Sequence, residues 1–477
     1  MSKTISIDPI TRIEGHARIT LTVGDDGGVE DCRFHVTQFR GFEAFCVGRP
    51  LEEMPALTAR TCGICPVSHL LASAKACDEL LAVRIPPAAV ALRRLLNYAQ
   101  IVQSHALSFF HLSSPDLLLG MDADPSVRHL FGVAEKFPVV ARDGIALRKF
   151  GQQVIERLGG KRVHPAWVVP GGVSRPMDAE DHEAIRAEIP AMIEAAQRNL
   201  NIMESLIDKF EPEINAFACF PSLFLGLKTP AGNLEHYDGP LRIVDADRKI
   251  VVDDIASPNY AEFIAEAVEN DSYLKSPFFK PLGYDNGMYR VGPLARLNLA
   301  DACGTPLADE VLPRFRKLVP HGAVLSSFHF HIARLIEIVH CLERMQQLLD
   351  DPVILNPRVR AIAGPNAHDG VGISEAPRGT LIHHYRIDDQ GRITWVNMII
   401  ATGNNNLAMN RGILQAAKTF VKKDKIEDGA LNRIEAVIRC YDPCLSCSTH
   451  ALGGMPMEIT LEDRGGNLLD RRTRRGI

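Results

Sequence analysis

The chain has 477 residues, a net charge of −5, 46% apolar and 23% charged residues, an ordinary globular balance. Mild acidity argues against general nucleic-acid binding, which wants a basic face, and no run approaches 18 uninterrupted apolar residues, so no membrane span is expected. The cysteines number eleven, and the polar N-terminus "MSKTISIDPITRIEGH" has no apolar signal core, so a disulfide framework is not expected and a reducing cytoplasm is the simplest setting. An exported protein riding on a partner's signal would read the same.

In chain order, "TISI", "HARITLTV" and "GVEDCRFHVTQF" alternate as strands around a "GDDGG" turn. After Cys65 the period changes. Pro66 suits a first helical turn, and Leu70, Leu71, Ala74 and Cys77 recur at helical spacing. Residues 85–112 predict a long, mostly buried helix. Residues 177–211 predict another helical stretch, broken at Pro190, and residues 323–351 a third long helix. From residue 364 the texture is loop-like, rich in Gly, Pro and Asn. "GTLIHHYRIDDQGRITWVNMII" then predicts a hairpin turning at "DDQG". Helices follow at about 406–422 and 426–438, and "MEITLEDRGGNLLDRR" predicts a last hairpin. The only concentrated positive charge is the terminal "DRRTRRGI". The fold class is α+β: an N-terminal β region, a large body of long buried helices, and C-terminal β hairpins.

Two stretches carry chemistry. "RTCGICPVSH" (residues 60–69) and "DPCLSCSTH" (residues 442–450) each hold a C-x-x-C pair followed by a histidine. Cys65 and Cys444 are 379 positions apart, whereas zinc ribbons place their pairs roughly 15–20 residues apart. A metal shared between these pairs ties together the two ends of the fold. Thiolates are soft ligands that suit iron, nickel, copper(I) and zinc, so structural zinc and a redox metal both stand on spacing alone. The helix after Cys65 aims its N-terminus at the first pair, which favours thiolate. His69, four residues past Cys65, shares that helical face and can hydrogen-bond a sulfur, or be a satisfied core histidine. His450 ligates the same metal, a different one, or none.

Together with "RIEGH" (residues 12–16) and "EAPRG" (residues 375–379), these motifs resemble the large, catalytic subunit of nickel–iron hydrogenases, in the right order along nearly the whole chain. "FRGFEAFCVGRP", "SHALSFFHLSSPDLLLG", "IATGNNNLAMN" and "IRCYDPCLSCSTHA" resemble its cytoplasmic, bidirectional NAD(P)-linked group. The resemblance implies nickel held by Cys62, Cys65, Cys444 and Cys447. Cys65 and Cys447 would bridge to an iron carrying carbon monoxide and cyanide. It implies magnesium near the C-terminus on Glu43 and His450, with His383 or His384 beside it. On a strand those two histidines face opposite ways, so at most one serves.

Heterolytic splitting of dihydrogen needs a Lewis-acidic metal and a nearby base. Cys444 is the favoured base. Arg378, very hard to deprotonate, would wall the open face, with Pro377 stiffening its loop and Asp442 positioning it or the metal shell. Glu14 would relay the proton outward, its pKa raised by burial close to sulfur, or else pair with Arg12. Thr402 would donate to a cyanide nitrogen. Many relatives carry an aspartate where Ser104 stands, so the arginine clamp loses one carboxylate and Asp442 takes more of that duty. Cys440, close to the cluster, reads as a buried bystander or a redox-sensitive thiol.

No dinucleotide-binding or Walker motif occurs, and the paired cysteines are spent on nickel. The resemblance therefore implies a small iron–sulfur subunit, and beyond it diaphorase subunits carrying FMN, iron–sulfur clusters and NAD(P). A maturation endopeptidase and nickel-insertion proteins complete the partners. Residues 1–450 would be the hydrogenase domain, and 451–477 an extension removed on maturation. Three rivals remain: a structural zinc protein, a metal-free subunit of a proton-pumping complex, and a hydrogenase that reduces another acceptor such as a deazaflavin.

Overall fold

Alternation in the first forty residues builds an antiparallel sheet, β1 (Lys3–Ile7), β2 (Ala17–Val23) and β3 (Val29–Val36). Its register sets Ile19 opposite Phe34, and both are buried with Leu21 on the core side. The computed structural model describes residues 3–25, 28–422, 427–449, 457–462 and 468–474.

Helix α1 (Pro66–Leu80) starts where Pro66 predicts, with Cys65 at its N-cap, and buries Leu70, Leu71, Ala74 and Cys77. Helix α2 (Pro87–Ala106) is buried on nearly every side. The single helix expected over 85–112 instead changes pitch at Leu107, where a wider π-helical stretch (Leu107–Ser113) takes over. Such stretches mark local strain or functional sites. Helix α3 (Pro138–Gly159) follows.

Helix α4 (Ala179–Leu206) corrects the expected break: it runs through Pro190 without interruption. Pro190 is exposed, so its ring meets solvent and the loss is one backbone hydrogen bond with its strain, about 3 kcal/mol. Ile185, Ile189, Ala196, Leu200 and Met203 bury one face, and His182 Nε2 meets the Leu349 carbonyl at 2.7 Å, which holds the helix on its neighbour.

A mid-chain sheet has no counterpart in the sequence reading. Strands β4 (Leu223–Leu227), β5 (Leu241–Val244), β6 (Ile250–Ile255) and β7 (Tyr289–Arg290) pair in the order β7-β4-β5-β6. β4 and β5 are buried throughout, so they lack the alternation that betrays a half-exposed strand. Helix α5 (Pro293–Leu299) and the long central helix α6 (Phe330–Asp350) follow.

The glycine-rich stretch read as loop contains strand β8 (Asp369–Ala376), which joins β9 (Gly379–Ile387) and β10 (Ile393–Ile399) in a three-stranded antiparallel sheet. Its glycines are there because α1 lies directly on it. A Cβ on Gly372 would sit 2.0 Å from the Ala72 carbonyl oxygen. The β9–β10 turn is the "DDQG" predicted, with Asp388 Oδ1 accepting from the Gln390 and Arg392 amides. Helices α7 (Asn406–Phe420) and α8 (Asp428–Tyr441) and the tail strands β11 (Met457–Glu462) and β12 (Leu468–Arg474) complete the chain close to the expected bounds.

Candidate metal centre

The two C-x-x-C pairs meet. Cys62 Sγ lies 3.1 Å from Cys444 Sγ, Cys65 Sγ 3.4 Å from Cys447 Sγ, and Cys444 Sγ 2.9 Å from Cys447 Sγ. All four sulfurs fall within 4.8 Å of one another, and all four residues are buried. Hydrogen bonds from the neighbouring thiols, Cys444 foremost, hold Cys62 well below the ordinary thiol value and bring Cys65 down to about 6. Burial pushes Cys444 and Cys447 well up. Such a set shares protons among crowded sulfurs, and a soft cation in their place satisfies all four at once.

Each pair is held differently. The first sits at the N-terminus of α1. The carbonyl of Ile64, inside the loop, accepts from Gln100 Nε2 at 2.9 Å and Gln103 Nε2 at 2.8 Å, both on α2. Arg40 Nη1 donates to the Thr61 carbonyl at 2.7 Å. The second pair is held through its amides. Asp442 ends α8 in a left-handed turn (φ +52°), a conformation Asp tolerates. Cys444 N then donates to Thr402 Oγ1 at 2.9 Å, Leu445 N to the Glu14 carbonyl at 3.2 Å, and Ser446 N to Glu14 Oε2 at 3.0 Å.

A small cavity opens beside the sulfurs. Cys65, Cys444, Cys447, Arg378, Thr402 and Leu381 help line it, and Cys62 does not. Arg378 sits at the tip of the β8–β9 hairpin, in a two-residue loop with Pro377. Its Nε donates to the Asp442 carbonyl and its Nη2 lies 3.1 Å from Asp442 Oδ2, while Nη1 is buried with no partner. Burial opposes the charge, but Asp442 and the sulfurs hold this guanidinium well above its ordinary value.

The residues of this centre suit a redox metal, and comparison with known proteins decides the family. The family model described as "Nickel-dependent hydrogenase" matches residues 40–126 and 236–450, and one described as "HoxL-like" matches residues 4–39. The chain is 41% identical to the NAD-reducing hydrogenase HoxS subunit beta of Cupriavidus necator, across 99% of this chain and 100% of that one. It is also 41% identical to a chain of the F420-non-reducing vhu hydrogenase of Methanococcus voltae, across 88% and 99%. The crystal structure of an NAD+-reducing [NiFe]-hydrogenase in the H2-reduced state superposes with a TM-score of 0.91 at 42% identity, covering 94% of this chain and 99% of that one. The chain is a nickel–iron hydrogenase large subunit. It belongs to the nickel-dependent hydrogenase family and is an oxidoreductase, and its four clustered cysteines are the nickel–iron site.

Glu14 is half-buried rather than sunk among the sulfurs. Its carboxylate accepts from Ser446 N and Oγ, not from Arg12, and a parallel bridge sets Glu14 alongside Cys444. Arg12 pairs instead with Asp116 at 2.6 Å. His69 lines the cavity, and its Nδ1 lies 3.2 Å from His383 Nε2, a contact with imidazole where one with sulfur was expected. His383 and His384 do point oppositely: His383 meets His69 and Tyr385, while His384 meets Tyr260 and Asp369. Ser104 is buried with its hydroxyl unpartnered, and among the described residues Asp442 is the carboxylate that pairs with Arg378. Cys440 is fully buried, 3.4 Å from His331 Nε2, and burial pushes its thiol up to about 12. That is the bystander reading.

Glu43 accepts from Met398 N at 2.8 Å, and burial raises its pKa. His450 lies outside the described residues. Its neighbour Thr449 is fixed close by, its carbonyl accepting from Arg40 N and Gly41 N at 3.0 and 3.1 Å. Gln100, Gln103 and Arg40 are the contributors that motif reading missed. Gln100 and Gln103 lie three apart on one buried helix, and buried amides need partners, but nothing in the sequence names a loop carbonyl as that partner. No helix among the described residues is long and apolar enough to cross a membrane.

Proposed function

We propose that this chain is the hydrogen-activating subunit of a cytoplasmic NAD(P)-linked hydrogenase. Its reaction is the reversible, heterolytic cleavage of H2. Electrons pass to a small iron–sulfur partner and on through FMN-bearing diaphorase subunits to NAD(P). The observation that carries this is the buried four-sulfur set with a held guanidinium over its open side, in a chain that matches an NAD-reducing relative along nearly its whole length.

When bound, a nickel–iron pair with carbon monoxide and cyanide on the iron supplies the redox-active Lewis acid that H2 cleavage requires. Cys62 and Cys444 would hold nickel alone, and Cys65 and Cys447, both lining the cavity, would be shared with iron. Cys444 accepts the proton. Arg378 is too firmly held as a cation to act as base, and its unpartnered Nη1 is left to donate to a ligand bound at the centre. Thr402 spends a lone pair on the Cys444 amide and keeps its O–H for a cyanide nitrogen. Glu14, beside Cys444 and half-exposed, takes the proton outward.

Glu43 and His450 would hold magnesium, whose preference for oxygen calls for waters or carbonyls in addition. Residues 451–477 would be removed by an endopeptidase after nickel-insertion proteins load the site. The 41% identity to an F420-non-reducing hydrogenase keeps a second acceptor in view. Elemental analysis with an H2-driven assay of the purified complex tests the reading. Nickel, with iron in severalfold excess because the partner subunits' clusters add their own, and H2-dependent reduction of NAD+ or NADP+ are expected. Zinc alone would refute the centre, and H2 oxidation confined to other acceptors would refute the NAD(P) assignment.

A further inference from the structure

Arg296, on α5, is fully buried, as are both of its carboxylate partners, Glu337 and Glu375. Its Nε and Nη2 each lie 2.6 Å from an oxygen of Glu337, and its Nη1 lies 2.7 Å from Glu375 Oε2. The remaining N–H groups read backbone: Nη1 meets the Ala376 carbonyl at 3.1 Å and Nη2 the Pro377 carbonyl at 3.4 Å. These are the two residues just before Arg378. The other end of the brace is rooted in the core, because Glu337 on α6 also meets His105 Nε2 at 2.8 Å and His236 Nε2 at 3.4 Å. Glu375 is fixed in turn by Thr380 Oγ1 and the Leu227 amide.

The N-cap of the same helix meets the turn at Arg378 itself. Gly292, one turn before Arg296, has φ +94°, and a Cβ there would lie 2.8 Å from the Arg378 carbonyl oxygen. Only glycine lets helix and hairpin tip come this close. Burying one guanidinium with two carboxylates is a poor route to stability, since apolar side chains of similar volume do as well or better. What the charged set supplies is direction: a planar fork whose donors fix two successive carbonyls of a tight turn.

We propose that Arg296 is a positioning residue, braced on Glu337, that fixes the turn of residues 375–378 and thereby aims the Arg378 guanidinium over the cysteine centre. This rests on the reading of Arg378 as the wall of that centre. Lysine in place of Arg296 keeps the charge but cannot bridge Glu337 and the two turn carbonyls together.

The test compares Arg296→Lys with Arg378→Lys in the assembled hydrogenase. It measures metal content, melting temperature, kcat and KM for H2, and the infrared bands of the diatomic ligands. The brace predicts that Arg296→Lys keeps nickel and iron and lowers kcat about 10–100-fold, as loss of outer support does. KM should change little, and the bands should shift or broaden in the same sense as in Arg378→Lys. A lower melting temperature with kcat and bands unchanged would mark Arg296 as merely structural and overturn the brace. Should Arg378→Lys itself leave kcat and bands unchanged, the reading of Arg378 falls instead. If Arg296→Lys does not assemble, Glu375→Gln decides: a smaller shift of the same sense supports the brace, and an unshifted spectrum with full kcat overturns it.

Discussion

The first cysteine pair is held by its carbonyls and the second by its amides, and that difference separates two ways of building half a metal site. Cys62 and Cys65 lie in the loop that enters α1, a helix buried along most of its length, and donors from Gln100, Gln103 and Arg40 pin the loop oxygens. Cys444 and Cys447 stand beyond α8, near the end of the described body, and hang from Thr402, 42 positions back, and from Glu14, at the other end of the chain. The first half is shaped by helix α1 and by donors within 39 positions of its loop. The second also needs Glu14, a contact that exists only once the chain ends have met. It is therefore the half that closes the site.

Substitutions sharpen that contrast. Cys444→Ser should have the largest effect, removing a sulfur central to the set; nickel retention by elemental analysis and H2 uptake should both fall to background. Glu14→Gln should keep nickel, because an amide still fits against Ser446, but lower H2 turnover on the order of a hundredfold, as loss of a proton-transfer group does. Full turnover in that variant would mean Glu14 only anchors the second pair. Gln100→Ala with Gln103→Ala, which releases the Ile64 carbonyl, should weaken nickel retention by about 10–100-fold with little change in the second pair. Competition with a chelator measures it.

The smallest effect on chemistry should come from Asp116, which lies under the second half. Arg12 and Arg439 both pair with it, so the "RIEGH" segment and α8 share one carboxylate. Asp116→Ala removes the carboxylate shared by Arg12 and Arg439, leaving Arg439 to Glu435, and should destabilise the fold by about 3 kcal/mol, read from chemical denaturation. Burial opposes the charge on Asp116, but Arg439 and Arg12 hold its pKa below the ordinary aspartate value. Its contribution is therefore fully present above that ordinary value and lost as pH falls through the lower folded one. Acid melting of the wild type and a flatter acid limb in the variant check the sign.

Legibility in the sequence followed the same divide. Helical period, Pro66 and the "DDQG" turn were readable because they act locally. β8 was not: its Gly370 and Gly372 look like loop residues but answer to α1 packed on top of them. β4 and β5 hid because burial on both faces erases alternation. Pro190 suggested a break that side-chain packing overrides. At the centre, the cysteines and the Arg378–Asp442 pair were legible as motifs. Gln100, Gln103 and Arg296 were not, since their partners are backbone carbonyls or carboxylates distant in sequence.

Nickel-edge X-ray absorption tests the central claim most directly, on the wild type, Cys62→Ser and Cys444→Ser. Sulfur ligation drawn from both pairs predicts a sulfur-rich shell that loses sulfur in each variant still holding nickel, or loss of nickel altogether. A nickel shell left unchanged by one of the two substitutions would show that only one end of the chain binds the metal, and would contradict the account.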